Sequence, residues 1–305
     1  MQIDPRRLTV LLTVHRAGGV IAAAAQSHLS PSAVSQQIAK LERELGFPVL
    51  DRQPSGSVLT PVGRLLVEAA ERIEAELADV RQAVAGMGGE PSGKVVIGGF
   101  RSALRGLVLP LVQELRGRLP NVDVHVLESE TETGATELRN GVLDLLLAEA
   151  DAPVGRTQPR GTRDITLLDD PWLVAVPASM PRPRTTTDLS HLDWLAVDES
   201  AAAHGATQRL MSQLGVTTPA PHRYSDYDIA LAMVDAGLGA ALLPALAMST
   251  TTSIPQGVQV VAIPGLERRI IIARHRLGRS GPNPVTVQVL DELIQHAARV
   301  AGAHR

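Results

Sequence analysis

A short segment between Ser30 and Gly46 carries side chains whose types and spacing suit the reading of base pairs in DNA. If the segment is helical, one of its faces presents polar and small residues, which are Ser32, Ser35, Gln36, Ala39, Lys40 and Arg43. Glutamine can form two hydrogen bonds with an adenine, small residues let a helix approach the bases, and lysine or arginine can pair with phosphate or guanine. This face therefore favours hydrogen bonding in the major groove of double-stranded DNA.

The flanking residues predict that this segment is a helix. Ser30 is a favourable N-cap and Pro31 fits the first helical position, so we expect the helix to begin there. Gly46 predicts its end. The apolar residues between them recur at helical spacing and define a buried face, which consists of Val34, Ile38, Leu41 and Leu45. The polar face is expected to point away from the core of the domain.

The segments on either side predict a winged helix-turn-helix. Before the helix, 21–26 is a short alanine-rich helical pattern and 27–29 suits the turn. After it, the β-rich stretches 49–52 and 58–60 would form a hairpin, the wing, which places Arg52 where it can meet DNA phosphates. An ordinary three-helix domain with polar surface residues is the alternative on this spacing alone.

A longer pattern resembles a known family. The stretch LSPSAVSQQIAKLERELGFPVLDR ends at Arg52 and is followed by LTPVG at 59–63, as in the N-terminal domain of LysR-type transcriptional regulators. Further matches are GVLDLLL at 141–147 and VDAGLGAALLP at 234–244, so the resemblance spans essentially the whole chain. The wing departs from the family pattern, because Ser55 and Ser57 stand where arginines are frequent. Arg52 is therefore left nearly alone as the basic residue of the wing.

The resemblance implies an α/β fold class with three parts. These are a winged helix-turn-helix DNA-binding domain rich in α-helix, a long linker or dimerisation helix, and a periplasmic-binding-protein-like effector domain of two subdomains. In order, the expected bounds are 1–60, 61–89 and 93–305, with subdomain one at about 94–162 and 270–305 and subdomain two at about 163–269. The residues after 93 support the α/β class independently, since β-rich runs alternate with helical runs there, which predicts βαβ units and a parallel sheet.

The linker segment carries a long apolar stripe at helical spacing. Thr60 and Pro61 form a cap and first-turn pair, and the stripe continues to Val84 over a helix of about 39 Å. Such a stripe packs either on its own chain or on a second chain. The resemblance implies that two linker helices pair antiparallel, so we expect a homodimer or homotetramer. The expected interface residues are Val62, Leu66, Ala69, Ile73, Leu77 and Val80.

The resemblance also implies a small ligand in the cleft between the two subdomains. In open α/β sheets, ligands lie at the carboxyl ends of strands against helix N-termini. The residues that we expect around the ligand are Phe100, Arg101, Ser102, Glu149, Ser200, His204, Asp226 and Tyr227. Arg101 suits a carboxylate and the acidic residues suit an amine, so a carboxylate or an amino acid is the predicted effector. The plainer alternatives are that Ser102 and Asp226 only cap helices and that Arg101 and His204 only face solvent.

Catalytic and cofactor-binding patterns are missing from the sequence. It has no Gly-x-Ser-x-Gly, no His-Glu-x-x-His, no phosphate-loop pattern and no complete dinucleotide fingerprint. The nine histidines are scattered, and the absence of cysteine excludes thiol-based redox sensing. We therefore expect no enzyme, no catalytic residue, no cofactor and no metal. The alternative is a cytoplasmic solute-binding or enzymatic α/β protein with a helical N-terminal module, which an assay for turnover would reveal.

Composition favours a globular protein that acts in the cytoplasm. Hydrophobic residues make up 44% and charged residues 20% of the chain. Aromatic residues make up only 2%, which argues against a surface that stacks on nucleic-acid bases. The longest apolar stretch, 236–248, is shorter than the roughly 20 residues of a membrane span, and His15 and Arg16 interrupt the apolar start of the chain. No membrane partner is expected.

Overall fold

The computed structural model describes residues 3–53, 56–86, 92–150, 161–199, 203–216, 221–277 and 283–303. The chain forms two compact units. The first unit comprises Met1–Gly88 together with Thr136–Leu143, and the second comprises Gly89–Ala135 together with Asp144–Arg305. In the described residues, no single helix is long and apolar enough to cross a membrane, although the helices Pro5–Arg16 and Val20–Ser27, bent by 117° at their junction, reach that length and composition together.

The N-terminal elements of the first unit form the expected winged helix-turn-helix followed by a long helix. In chain order they are α1 Pro5–Arg16, α2 Val20–Ser27, α3 Pro31–Leu45, β1 Leu50–Gln53, β2 Gly56–Leu59 and α4 Pro61–Gly86. The strands β1 and β2 pair antiparallel as a hairpin. The core between the helices includes Leu11 of α1, Ala24 of α2 and Leu41 of α3. The turn between α2 and α3 contains His28, which adopts a left-handed conformation with φ of 54°.

Helix α3 begins and ends at the residues that the sequence predicts. The hydroxyl oxygen of Ser30 accepts a hydrogen bond from the backbone N–H of Ala33 at 3.1 Å. Gly46 follows the last turn with φ of 74°, a left-handed conformation that glycine adopts without steric cost. Val34, Ile38 and Leu41 are buried. The predicted helix and its buried face are confirmed.

The later elements alternate between strands and helices. In chain order they are β3 Gly93–Gly99, α5 Arg101–Ala103, a π-helical turn Leu104–Val108, α6 Leu109–Arg118, β4 Val122–Glu128, α7 Thr131–Arg139, β5 Leu145–Ala150, β6 Thr162–Pro177, a 3-10 turn Thr187–His191, β7 Ala196–Val197, α8 Ala203–Leu214, β8 Arg223–Tyr224, α9 Tyr227–Asp235, β9 Ala241–Pro244, α10 Ala245–Ser249, β10 Val258–Ala262, β11 Arg268–Arg276 and α11 Pro284–Ala303. This alternation confirms the α/β class of the segment after residue 93.

The main sheet mixes parallel and antiparallel pairs. Its strand order is β10-β6-β11-β5-β3-β4, and β9 also pairs with β6. The parallel pairing that the sequence predicts holds for β3 with β4 and for β3 with β5. The pairs β5–β11, β11–β6, β6–β10 and β6–β9 are antiparallel instead. The sheet is mixed because β6 and β11 pair antiparallel with each other and also with their other neighbours.

The second unit has two hydrophobic cores, which correspond to two subdomains. The first core includes Ile97 of β3, Leu111 of α6 and Leu293 of α11, and the second includes Trp194 and Leu231 of α9. The strand β6 belongs to both, because Leu167 and Leu168 lie in the first core, and Trp172 and Val174 to Val176 lie in the second. The strand β11 pairs along β6 with a register shift between Ile271 and Ile272. These two strands therefore join the subdomains.

The π-helical turn packs closely against α10. A Cβ atom added to Gly106 would lie 2.5 Å from Cδ1 of Leu246, so a larger residue would force the two elements apart. Leu246 is fully buried and belongs to the first core although it lies in α10. Gly106 thus allows the helix that starts at Arg101 to pack directly against α10.

Candidate functional site

The polar face of α3 is accessible as predicted. Gln36, Lys40, Arg43 and Ser32 are exposed, while Ser35 and Ala39 are half-buried. Arg43 donates from Nε to the carbonyl of Ala39 at 3.3 Å within its own helix. In the described part of the chain, the side chains of Gln36 and Lys40 have no hydrogen-bond partner. Their donors and acceptors are therefore free for a partner outside the chain.

The wing is only partly described. The hairpin pairs Asp51 with Val58 and Arg52 with Ser57. The side chain of Arg52 and all of Ser55 lie outside the described residues. The predicted contact of Arg52 with DNA stays a prediction.

The apolar stripe of α4 divides into two stretches. Leu66 is buried at 9% exposure and Val62 is half-buried, and both pack in the core of the first unit; Ala69 is half-buried. Ile73, Leu77, Val80 and Val84 are 42%, 52%, 55% and 61% exposed. The interpretation of one continuous stripe for a partner is therefore corrected, because the first turns of α4 cover α1 of the same chain. A change at Leu66 would test the core and not an interface.

An apolar groove lies between α1 and α4 in the first unit. It encloses about 490 Å³ and is lined by Pro5, Leu8, Thr9, Leu12, Ala70, Ile73, Glu74 and Leu77. Two of these residues, Ile73 and Leu77, also begin the exposed stretch of α4. The groove and the exposed stretch thus form one apolar surface of the first unit.

A polar pocket lies between the two subdomains of the second unit. Its empty space, part of which is open to solvent, is about 270 Å³, and its lining residues are Arg101, Ser102, Arg105, Asp226, Tyr227, Asp228, Ala247, Thr250 and Thr251. The lining comes from the helix that follows β3, from the first turn of α9 and from the end of α10. Four of the residues that the sequence predicts around the ligand, Arg101, Ser102, Asp226 and Tyr227, are brought together here.

Arg101 spans the mouth of this pocket. Its guanidinium pairs with the carboxylate of Asp226, and its Nε lies 3.2 Å from Oε1 of Glu128. Asp226 also caps α9, because its Oδ1 accepts from the backbone N–H groups of Asp228 at 2.8 Å and Ile229 at 3.2 Å. The plainer interpretation of Asp226 as an N-cap is therefore confirmed, and the residue contacts Arg101 as well.

These contacts keep both groups of the ion pair charged. Burial would raise the pKa of Asp226, but the backbone amides of Ile229 and Asp228, followed by Arg101, outweigh it and hold the pKa below its usual value. Burial would lower the pKa of Arg101, but its bonds to Asp226 and Glu128 raise it above its usual value. The pocket therefore presents a full positive and a full negative charge at neutral pH.

A buried arginine that the sequence interpretation missed lies beside the pocket. Arg269 of β11 is 5% exposed and donates from Nε to Asp170 at 2.6 Å. It also contacts the carboxylate of Glu149 and donates to the hydroxyl of Ser102 at 3.0 Å. The rings of Phe100 and Trp172 lie 5.1 and 5.4 Å from its guanidinium carbon, within reach of cation–π attraction. Three predicted ligand residues, Phe100, Ser102 and Glu149, are therefore partners of Arg269.

The charges of this buried cluster are strongly coupled. Burial lowers the pKa of Arg269, but Glu149 and Asp170 outweigh it, so the pKa of the guanidinium lies above its usual value. Burial raises the pKa of Glu149, and Arg269 compensates for only part of that effect. Burial also raises the pKa of the Tyr227 phenol, so the hydroxyl of Tyr227 stays protonated and can donate. In the described residues, this hydroxyl has no hydrogen-bond partner.

The remaining predicted residues lie elsewhere. His204 is at the start of α8, where its Nδ1 lies 3.1 Å from the carbonyl of Val197, and it is absent from the pocket lining. Ser200 lies outside the described residues. Within the described ranges, no group of three or more histidine, aspartate or glutamate residues could hold a metal ion. The described site thus offers ion pairs and hydroxyl groups to a ligand.

Family comparison matches two parts of the chain. Residues 5–64 match a model described as bacterial regulatory helix-turn-helix protein, lysR family. Residues 88–298 match the LysR substrate binding domain. Among curated proteins, a probable HTH-type transcriptional regulator, LrrA, from Synechococcus elongatus is 31% identical over 96% of this chain and 97% of its own length. A probable hydrogen peroxide-inducible genes activator from Mycobacterium leprae is 31% identical over 96% of both chains.

Solved structures share the fold. A variant of full-length OxyR from Pseudomonas aeruginosa superposes with a TM-score of 0.74 at 23% identity, over 97% of this chain and 95% of that chain. Full-length CbnR in complex with its target DNA superposes with a TM-score of 0.66 at 20% identity, over 98% of this chain and all of that chain. Both units therefore have counterparts in known full-length proteins.

Proposed function

This chain belongs to the LysR family of bacterial transcriptional regulators, and we propose that it binds a two-fold symmetric DNA site as a homodimer or as a tetramer of two dimers. In this proposal, a small carboxylate or amino-acid effector binds between the two subdomains of the second unit. The observation that carries the DNA-binding role is the accessible polar face of α3, where Gln36 and Lys40 have no partner in the described part of the chain. We propose no catalytic role.

The face of α3 supports direct reading of bases. Its buried side is fixed in the core by Val34, Ile38 and Leu41, so the helix presents Gln36 from a rigid position. A helix of this kind enters the major groove with its N-terminal residues against the base edges. Ser32 and Ala39 are small enough to let the backbone approach. Lys40 and Arg43 lie further along the helix and suit phosphate contacts.

The substitution Gln36→Ala is expected to cost about 1–3 kcal/mol of binding free energy at one base position in each half-site. The loss should disappear on operators that carry a different base at that position. The operator would first be obtained by selection from random duplexes, and affinity would be measured by fluorescence anisotropy on single-base variants. As the matched control, Lys40→Ala should weaken binding to every sequence alike and reduce the salt dependence. An equal loss with Gln36→Ala on all operators would contradict base reading.

The surface of the first unit supports the dimer. Along α4, next to the groove between α1 and α4, the apolar side chains of Ile73, Leu77, Val80 and Val84 are between 42% and 61% exposed. Contiguous exposed apolar patches commonly mark an interaction site. A symmetric dimer would cover the same patch on both copies and would present two α3 helices to the two halves of one DNA site.

The pocket supports a ligand that binds without covalent chemistry. Four of the relatives are named as hydrogen peroxide-inducible genes activators, two of them as probable ones. This chain contains no cysteine, so it cannot respond through thiol oxidation. The polar pocket of about 270 Å³ instead offers charged groups from both subdomains. A ligand that binds one arrangement of the subdomains better than another would shift the regulator between two states.

A further inference from the structure

The pocket between the subdomains has walls of opposite charge. Arg101 and Arg105 lie one helical turn apart on the first subdomain. Asp226 and Asp228 lie in the first turn of α9 on the second subdomain. Arg101 pairs with Asp226, and the guanidinium of Arg105 lies 3.6 Å from Asp228. The two ion pairs, which we call the clasp, connect the subdomains across the pocket.

A ligand that enters the clasp must satisfy the charges that it separates. An anion could pair with Arg101, but it would leave Asp226 with only its backbone amides and would lie near Glu128, which already contacts Arg101 at 3.2 Å. A cation could pair with Asp226, but it would leave Arg101 with Glu128 as its remaining partner. A ligand with a single charge replaces only one end of the contact between Arg101 and Asp226, so one of these two residues loses a charge-assisted bond.

The neutral groups of the pocket include both acceptors and a donor. The hydroxyl groups of Thr250 and Thr251 both donate to the carbonyl of Ala247, at 3.1 and 3.0 Å, so toward a ligand they can only accept. Acceptors of this kind suit an N–H group. The protonated hydroxyl of Tyr227 has no partner in the described residues and can donate to a carboxylate. The pocket thus offers donors and acceptors to the two ends of one molecule.

We infer that the ligand of this pocket is a zwitterion of α-amino-acid type, whose carboxylate binds Arg101 and whose ammonium group binds Asp226. The ligand takes the place of the direct contact between the two residues and leaves each of them paired. This inference rests on the proposed effector role of the same cleft and names the chemistry of the effector.

The experiment compares matched probes on the full chain. The probes are the standard α-amino acids, and each is paired with the carboxylic acid that lacks its amino group and with the amine that lacks its carboxyl group. Thermal shift would screen the set and calorimetric titration would measure the dissociation constants. We expect at least one amino acid to bind about tenfold or more tightly than both of its matched partners, because each partner loses one charge-assisted bond.

Two substitutions test the assignment of the two charges. Asp226→Asn keeps a good N-cap for α9 and removes the charge. It should therefore raise the dissociation constant of the amino acid about tenfold or more and leave that of its matched carboxylic acid unchanged. Arg101→Gln should weaken the binding of both the amino acid and its matched carboxylic acid. The control Glu267→Gln removes an exposed ion pair with Arg209 and should change neither. Circular dichroism of each variant would verify that it folds.

The outcomes separate this inference from the proposed function. A matched carboxylic acid that binds as tightly as its amino acid would overturn the inference, as would a set in which no amino acid binds wild-type protein. Operator binding without added compound would be measured on the same preparations. If operator binding is intact but no amino acid binds more tightly than its matched partners, the proposed function as a regulator stands and only the inferred ligand class is wrong. If operator binding is absent, the proposed function fails, and the titrations still decide the chemistry of the pocket.

Discussion

Replacement of Arg269 by methionine is expected to lower the free energy of unfolding of the second unit by about 3–5 kcal/mol. Arg269 is the shared partner of Glu149 and Asp170, and Asp170 is only 2% exposed. Methionine fills a similar volume but leaves the Oδ2 atom of Asp170 without its partner at 2.6 Å. A buried carboxylate without a compensating charge costs far more than the lost contacts of the side chain.

Urea unfolding followed by tryptophan fluorescence would measure this effect in the second unit alone. The two tryptophans of the chain, Trp172 and Trp194, both belong to the second unit. Arg268→Met is the matched control, because Arg268 is the neighbouring residue of β11 and forms an exposed ion pair with Asp169. That pair is expected to contribute about 1 kcal/mol or less. Equal unfolding midpoints for the two variants would contradict the buried role of Arg269.

Replacement of both Leu77 and Val80 by glutamate is expected to convert the proposed dimer into monomers at micromolar concentration. Each buried leucine or valine contributes roughly 1.5–3 kcal/mol, and a two-fold interface counts each substitution twice. The dissociation constant of the dimer should rise by roughly four orders of magnitude or more. Leucine and glutamate have similar helix propensities, so α4 itself should persist. Sedimentation velocity would measure the change.

The control for the dimer is a polar substitution on the same helix. Arg72→Gln alters an exposed side chain of α4 and should leave the dimer intact. Operator affinity should fall with Leu77→Glu and Val80→Glu but not with Arg72→Gln, because two α3 helices are needed to span a two-fold site. A double variant that still sediments as a dimer would assign the exposed stretch of α4 to another role.

Local features of the first unit could be predicted from the sequence because they depend on neighbouring residues. The start of α3 requires only Ser30 and Pro31, and its end requires only Gly46. The packing of the apolar stripe of α4 is harder to predict, because the helical spacing of its residues does not reveal whether its own chain or a second chain covers it. Leu66 and Leu77 share that stripe, yet Leu66 is buried in its own unit and Leu77 is exposed. The difference depends on how far α1 extends along α4, which no local pattern records.

The pocket depended on contacts between distant parts of the chain. Arg101 was predicted to bind an effector carboxylate, and the structure pairs it with Asp226, which lies 125 residues away in sequence. Arg269 was missed because its partners Glu149 and Asp170 are 120 and 99 residues away. A signal was present in the sequence, since an arginine directly before the apolar run of β11 requires a buried partner. Sequence spacing could not identify that partner.

The π-helical turn at Leu104–Val108 has a consequence for how the position of Arg101 in this pocket can differ between related sequences. It carries one residue more than an α-helical turn needs, and its backbone bond runs from Leu109 to Leu104. Loss of one residue there would restore α-helical pairing and rotate Arg101 by about 100° around the axis relative to α6. The buried residues of α6 would stay in place while Arg101 turned away from Asp226. The same rotation would also move Ala103 and Leu104, which belong to the first core, so the position of Arg101 depends on the packing of that core.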